Sequence, residues 1–351
     1  MLFITNRALQ EGQTPMLENI PQVPRAVNFD LTNNQAEQSV YLCHRNSNKS
    51  YTEIGGKAFL SELRNLRVKE IILFVHGYSN LPEEAIFPRV EKLQKLFNEK
   101  SSDYTLVIPV IWPCQNAMGH SPDNLETGLL KDYFNDQIAA DHSGIAFARL
   151  FQKFLAWRED NSTVREPCFT RINILAHSMG ARVVRATFAS TVQYFLPQGM
   201  PLVFRNIFLA AADIVNEALE SNQEGQHIST AARNVVVYYA ADDLAMRASK
   251  VANVGEIASR RLGHTGPENM DRVGRNIYAL DCDDFNNDLD FPVGHGYFAD
   301  NRDGDAGPVF DHIWSCINTG RVPMYPEKSQ TAVLPLPVSD QKKTVVVQQP
   351  N

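Results

Sequence analysis

Residues 171–180 read RINILAHSMG, an apolar run that stops at a serine set between small residues. Ile172, Ile174 and Leu175 mark a buried strand, while Ala181, Val183, Val184, Ala186, Thr187, Phe188 and Ala189 supply a helix with apolar residues in every turn. A serine on such a strand-to-helix turn is held clear of the backbone, beside N–H groups that can receive negative charge. The turn needs small residues two before and two after the serine, where strand and helix pass closely, and Ala176 and Gly180 occupy those positions. Small residues and serine are also common in ordinary turns. The reading of Ser178 as a nucleophile therefore depends on what the other strand ends carry.

Outward from this stretch, strands are expected at residues 70–75 (EIILFV), 104–112 (YTLVIPVIW), 204–212 (FRNIFLAAA), 234–241 (NVVVYYAA) and 276–280. Helices are expected at residues 57–66, 83–99 and 144–157, at about residues 310–318, and from about Leu244. This alternation predicts an α/β fold with a mostly parallel central sheet and helices on both faces. Residues 1–7 and 39–44 are expected to pair antiparallel at one edge, and Pro109 to mark a bulge or strand end. Residues 113–140 have no regular pattern and are expected to be a long loop, a candidate lid over the site. Residues 1–320 are expected to form a single domain, and the Pro-rich, polar residues 321–351 a disordered tail.

The 351 residues are 44% hydrophobic, enough for a substantial core. With 33 basic and 40 acidic residues the net charge is −7, which argues against nucleic acid or an anionic membrane surface as partner. No segment approaches the about 20 apolar residues of a membrane span, and MLFITNR lacks the basic start and long apolar run of a signal peptide, so a cytoplasmic location is expected. Cys43, Cys114, Cys168, Cys282 and Cys316 have no CxxC spacing and are expected as reduced, mostly buried thiols. The acidic runs at residues 281–290 and 300–305 lack the spacing of a calcium loop, and no phosphate-binding glycine motif follows a strand. No metal and no cofactor are expected, and oligomeric state is not encoded in any motif.

In an open parallel sheet, reactive groups collect at the carboxyl ends of the strands. Those ends carry HGYSN (76–80), AHSMG (176–180), Asp213, Asp242 with Asp243, and a later loop with Gly294, His295, Gly296 and Tyr297. The order is Ser, Asp, His. Together with LAHSMGARV, YYAADDLAMRAS and GHGYFAD, these residues resemble the α/β-hydrolase superfamily, and within it an uncharacterised bacterial group with HGYNN, AHSMGNR and GHSYY motifs. The resemblance spans about residues 1–320 and departs at Ser79, Ala181, Ala212 and Gly296.

It implies an α/β-hydrolase fold and a serine hydrolase acting on a carboxylic ester or thioester through an acyl-enzyme intermediate. Ser178 would be the nucleophile and His295 the base. Of the acids, Asp243 matches the motif, Asp242 is one residue off, and Asp213 follows the preceding strand, a position some relatives use. The backbone N–H groups of Tyr78 and Met179 would form the oxyanion hole. His177 and His76 are expected to brace the backbone. His264 and His312 fit the base role less well than His295. The rival readings are acyl transfer by the same residues and a non-catalytic binding scaffold.

Overall fold

A computed structural model of the chain describes residues 1–10, 23–115, 125–162, 170–246 and 260–334. Strands β1 (Leu2–Arg7), β2 (Leu9–Gln10), β3 (Arg25–Phe29), β4 (Ala36–Ser47) and β5 (Ser50–Glu53) precede helix α1 (Gly55–Asn65), β6 (Glu70–Val75), α2 (Phe87–Lys100) and β7 (Thr105–Ile111). Then come α3 (Leu125–Ser162), β8 (Arg171–His177), α4 (Gly180–Tyr194), β9 (Phe204–Ala210), α5 (Gln226–Ala231) and β10 (Ala232–Tyr239). The described chain closes with α6 (Leu262–Thr265), β11 (Ile277–Asp281), α7 (Asn286–Leu289), α8 (Pro308–Thr319) and β12 (Thr331–Val333).

Among the described residues, twelve strands lie in the order β12-β11-β10-β9-β8-β6-β7-β1-β4-β5-β3-β2. Neighbours from β12 to β1 run parallel, and those from β1 to β2 antiparallel. The N-terminal edge is thus antiparallel, with Phe3 opposite Cys43. Side chains alternate along each strand, so an uninterrupted apolar strand needs cover on both faces. Ile71 and Val75 of β6 join one core with Phe59 of α1, Phe147 of α3 and Val183, Val184 and Phe188 of α4. Ile72 and Phe74 join the other with Val90, Leu93 and Phe97 of α2 and Phe310 and Ile313 of α8.

A polar chain crosses the sheet toward the amino ends of its strands. The buried Glu70 accepts from Arg171 (2.6 Å), Arg205 and Asn173 Nδ2 (3.0 Å). Asn206 Nδ2 donates to Asn173 Oδ1, and Asn234 Nδ2 to Asn206 Oδ1, each at 2.8 Å. Parallel registration sets Asn173, Asn206 and Asn234 side by side, so each amide meets the next.

Two expectations are corrected. Residues 125–140, expected within a loop, belong to the first half of α3; Pro113 to Gln115 are not helical, and residues 116–124 lie outside the described residues. The buried face of this half carries Asp132, Tyr133, Asp136, Gln137, Ala140 and Ser143. The helical spacing is present but the residues are mostly polar, so hydrophobicity does not reveal it. Gly144 is therefore inside the helix, where a Cβ would lie 2.7 Å from that of Ala186, the point at which α3 crosses α4.

Of the two expectations for Pro109 the nearby strand end holds and the bulge does not: β7 ends two residues later, at Ile111. β6 and β7 pair without a break from Glu70 opposite Thr105 to Val75 opposite Val110, and pairing with β1 starts only at Val110. The start of the expected tail is also structured, because β12 pairs with β11 and Leu334 N–H donates to Asp281 C=O at 2.9 Å. Residues 335–351 lie outside the described residues, as does Cys168; Cys43, Cys114, Cys282 and Cys316 are buried and unpaired.

Asn206→Ala leaves both Asn173 Oδ1 and Asn234 Nδ2 without their partner in the interior. The expected loss is about 2–4 kcal/mol in urea unfolding, more than one exposed hydrogen bond is worth.

Candidate active site

Ser178 has φ 53°, the left-handed region that non-glycine residues seldom occupy. The turn holds it there. Ser178 N–H donates to Ala210 C=O at 2.9 Å, and its own carbonyl accepts the N–H of Asp213 and of Ala181, each at 3.1 Å. At Gly180 a Cβ would sit 2.3 Å from the Val75 carbonyl oxygen and 2.7 Å from that of His76, so only glycine fits. At Gly77 a Cβ would lie 2.9 Å from the Ser178 Cβ, which puts the HGYSN turn directly against the serine.

Asp243 is wholly buried after β10, and its Oδ2 accepts from His295 Nδ1 at 2.7 Å. Its Oδ1 accepts the Met246 N–H at 3.0 Å, so the carboxylate cannot rotate freely. His295 is positioned by Asp290, whose Oδ2 accepts the N–H of His295 at 2.9 Å and of Gly296 at 2.6 Å. Leu244 N–H donates to Val293 C=O at 3.0 Å and joins the acid-bearing segment to the histidine loop. Asp242 takes a different part: it accepts from Asn286 Nδ2 at 2.7 Å and from Asn287, fastening α7 beneath that loop. Asp290 was not among the sequence candidates. Its signal is an acid five residues before a histidine flanked by Gly294 and Gly296, the latter with a hypothetical Cβ 3.2 Å from Asp290 Oδ2.

Asp213 is held by groups of α3 and of the segment before α6. Its Oδ2 accepts from Tyr133 Oη at 2.6 Å and its Oδ1 is ion-paired with buried Arg261 Nε at 3.3 Å. His177 directly precedes Ser178, and its ring packs 4.7 Å from that of His295 and 4.6 Å from Phe298. Its Nε2 donates to the His295 carbonyl at 3.1 Å, and burial, with the neighbouring His295, holds it well below the usual histidine range. It braces the histidine loop and is poorly suited to accept a proton.

His76 stacks on Trp112 with rings 4° from parallel and 5.0 Å apart. Nδ1–H donates to the Gly77 carbonyl at 2.8 Å and Nε2 accepts the Trp112 N–H at 3.2 Å, a pairing that one neutral tautomer satisfies. Burial pushes its pKa down to about 4. His312 is on α8, bonded to Tyr238 Oη at 2.8 Å and to the Pro323 carbonyl at 2.9 Å. His264, on α6, has buried ring nitrogens with no hydrogen bond among the described residues. Met179 is the N-cap of α4, and Tyr78 is the third residue of HGYSN.

A mostly parallel sheet with Ser178, Asp243 and His295 beyond the carboxyl ends of its strands has the architecture of an alpha/beta hydrolase. The sequence model of one family, described as alpha/beta hydrolase of unknown function (DUF900), matches residues 55–303, and the chain belongs to that family. No curated protein and no solved structure matched the chain. Among the described residues no helix is long and apolar enough to cross a membrane.

Gly180→Ala is expected to destabilise the protein by at least about 3 kcal/mol, because a methyl group must displace backbone. Gly56→Ala, whose Cβ would meet nothing closer than Leu42 Cδ1 at 3.8 Å, is the control. It should be neutral or stabilise by up to about 1 kcal/mol, since Gly56 lies in α1. Denaturant unfolding of both variants checks this.

Proposed function

We propose that the protein is a serine hydrolase that cleaves a carboxylic ester or thioester through an acyl-enzyme intermediate. The observation that carries the reading is the 2.7 Å hydrogen bond from His295 Nδ1 to the buried, doubly held Asp243 carboxylate, in a loop whose His295 carbonyl is bonded to His177, the residue before a serine in the left-handed conformation of an elbow. With Nδ1–H donated to Asp243, His295 presents its unprotonated Nε2 as base.

Ser178 Oγ attacks the acyl carbon while His295 Nε2 takes the hydroxyl proton. The resulting imidazolium is stabilised by the Asp243 carboxylate, and the oxyanion by the N–H groups of Met179 and Tyr78. His295 then gives its proton to the departing alcohol or thiol. In the second half, water loses a proton to His295 as it attacks the acyl carbon, and His295 returns that proton to Ser178 Oγ as the acid leaves. The positive end of the α4 dipole at Met179 favours the same negative charge. The substrate is a small acyl compound, and every step uses side chains and backbone of this chain alone.

A fluorophosphonate probe should label the wild-type protein and leave Ser178→Ala unlabelled. Absence of labelling in the wild type would favour the binding-scaffold reading. Asp243→Asn should lower ester turnover by about 10⁴-fold, since the Met246 N–H keeps the amide oxygen and turns its NH2 toward His295 Nδ1, which stabilises the wrong tautomer. Asp213→Asn, measured in the same assay, should retain most of the turnover. The reverse pattern would transfer the acid role to Asp213.

A further inference from the structure

One face of the sheet is covered incompletely. Leu73 lies in the middle of β6, between Ile108 of β7 and Ile174 of β8. A central strand needs cover on both faces, yet Leu73 is only partly buried. The helix above it shows the same shortfall. Leu150, Phe151, Phe154 and Trp157 share one face of α3 at the spacing of an inward stripe, and all four are partly exposed.

These residues border a cavity of about 160 Å³. Ile71, Leu73 and Val75 of β6 line it beside Ile172 and Ile174 of β8. Phe59 and Leu63 of α1 meet it over the β4 side of the sheet, and Val184 and Phe188 of α4 over the β8 side. Ser178, Asp243 and His295 are not among the lining residues. The space is elongated: Ile71 and Val75 both line it and stand four residues apart on one strand, about 13 Å.

An interior void of this kind costs stability, because its walls lose the dispersion contacts of close packing, and water finds too few polar partners there. An apolar occupant restores those contacts. A cavity of about 150 Å³ walled by Leu, Ile and Phe takes a six-carbon ring, so this one accommodates an aliphatic tail of about six to eight carbons.

The polar groups of the lining specify the other end of the occupant. Thr187 Oγ1 is engaged on its own helix, donating to the Val183 carbonyl at 2.7 Å, and Thr170 Oγ1 donates to the Val68 carbonyl at 3.3 Å. Arg158 also lines the cavity, is partly exposed, and has no ion pair among the described residues. Thr170 directly precedes β8, whose Arg171 pairs with Glu70, so the polar liner Thr170 sits at the Ile71 end of the space. A guanidinium keeps its charge at all ordinary pH values, and its fork of donors matches a carboxylate.

We propose that this cavity is a binding site for a medium-chain carboxylate, with an aliphatic tail of about six to eight carbons lying along β6 and β8 and the carboxylate paired with Arg158. Nothing in the site depends on Ser178, so its occupation is separate from the serine-hydrolase reading.

The test titrates sodium octanoate into the full chain and into Ser178→Ala by calorimetry, following tryptophan fluorescence in parallel. Saturable one-to-one binding of equal affinity is expected in both proteins. From butanoate to octanoate the affinity should rise about 4-fold per methylene and then level off. Octylammonium should bind at least about 10-fold more weakly than octanoate, because it meets Arg158 with like charge. Arg158→Gln should weaken octanoate about 5- to 10-fold while leaving 1-octanol within about 2-fold. Val184→Phe places a ring in the cavity and should raise the melting temperature and abolish octanoate binding. The fluorescence change should vanish in Trp157→Phe while calorimetric binding persists.

Absence of octanoate binding overturns the proposal, as does octylammonium binding as tightly as octanoate, an Arg158→Gln variant that binds octanoate like wild type, or a fluorescence change that survives Trp157→Phe. Octanoate binding retained by a folded Val184→Phe also overturns it; if that variant does not fold, Arg158→Gln and the chain-length series decide. Saturating octanoate should leave fluorophosphonate labelling of Ser178 unchanged, and protection at the same concentrations would place the carboxylate at the serine and overturn the second site. Wild-type protein that binds octanoate as described but never labels overturns the hydrolase reading alone.

Discussion

Gly180 has no side chain to set against the Val75 carbonyl, and the geometry at the centre of the sheet depends on that contact. A single methyl group there would sit at 2.3 Å from oxygen. Because the backbone can close to this distance, α4 starts immediately above β6 and Ser178 is driven into its left-handed conformation. β6 and β8 are adjacent, with Val75 opposite Ala176, so HGYSN and AHSMG emerge side by side. A slip of one residue in this pairing would invert every side chain of β8 and separate the turns. The serine and the turn beside it are thus a property of strand pairing as much as of the motif.

Much of this was legible in the sequence because central parallel strands are covered on both faces and must be apolar throughout. EIILFV, RINILA and FRNIFLA can hardly be anything else, and the order of polar residues at their ends follows from the topology. What the pattern concealed has physical causes. The first half of α3 buries Asp132, Asp136, Gln137 and Ser143, so its inward face does not look apolar. β12 is only three residues long, and Thr331 and Val333 are exposed. Asp242 and Asp243 are neighbours with the same side chain, and only their partners separate them: two asparagines for one, His295 for the other.

The acids near the site act largely on backbone. Asp290 fixes two consecutive N–H groups of the histidine loop, Asp243 holds Met246, Asp283 accepts from Ala241, and Asp136 holds Gln115. Loops have few ladder bonds of their own, so a carboxylate that accepts two N–H groups is an efficient way to give one a fixed shape. The histidines divide in a similar way. His76 and His177 are kept neutral by burial and serve as donors to carbonyls, which leaves His295 as the histidine hydrogen-bonded to a buried carboxylate.

The short strand β12 has a consequence beyond its size. It covers the outer side of β11, with Ala279 N–H donating to Gln330 C=O at 2.8 Å and Gln330 Nε2 reaching the Gly274 and Ile277 carbonyls. A chain cut after Gly320 would keep the serine elbow, the acid and the histidine, yet leave a row of unpaired backbone groups along β11. Open rows of that kind recruit strands from other molecules. The residues that look most dispensable in the sequence therefore supply the backbone partners of β11.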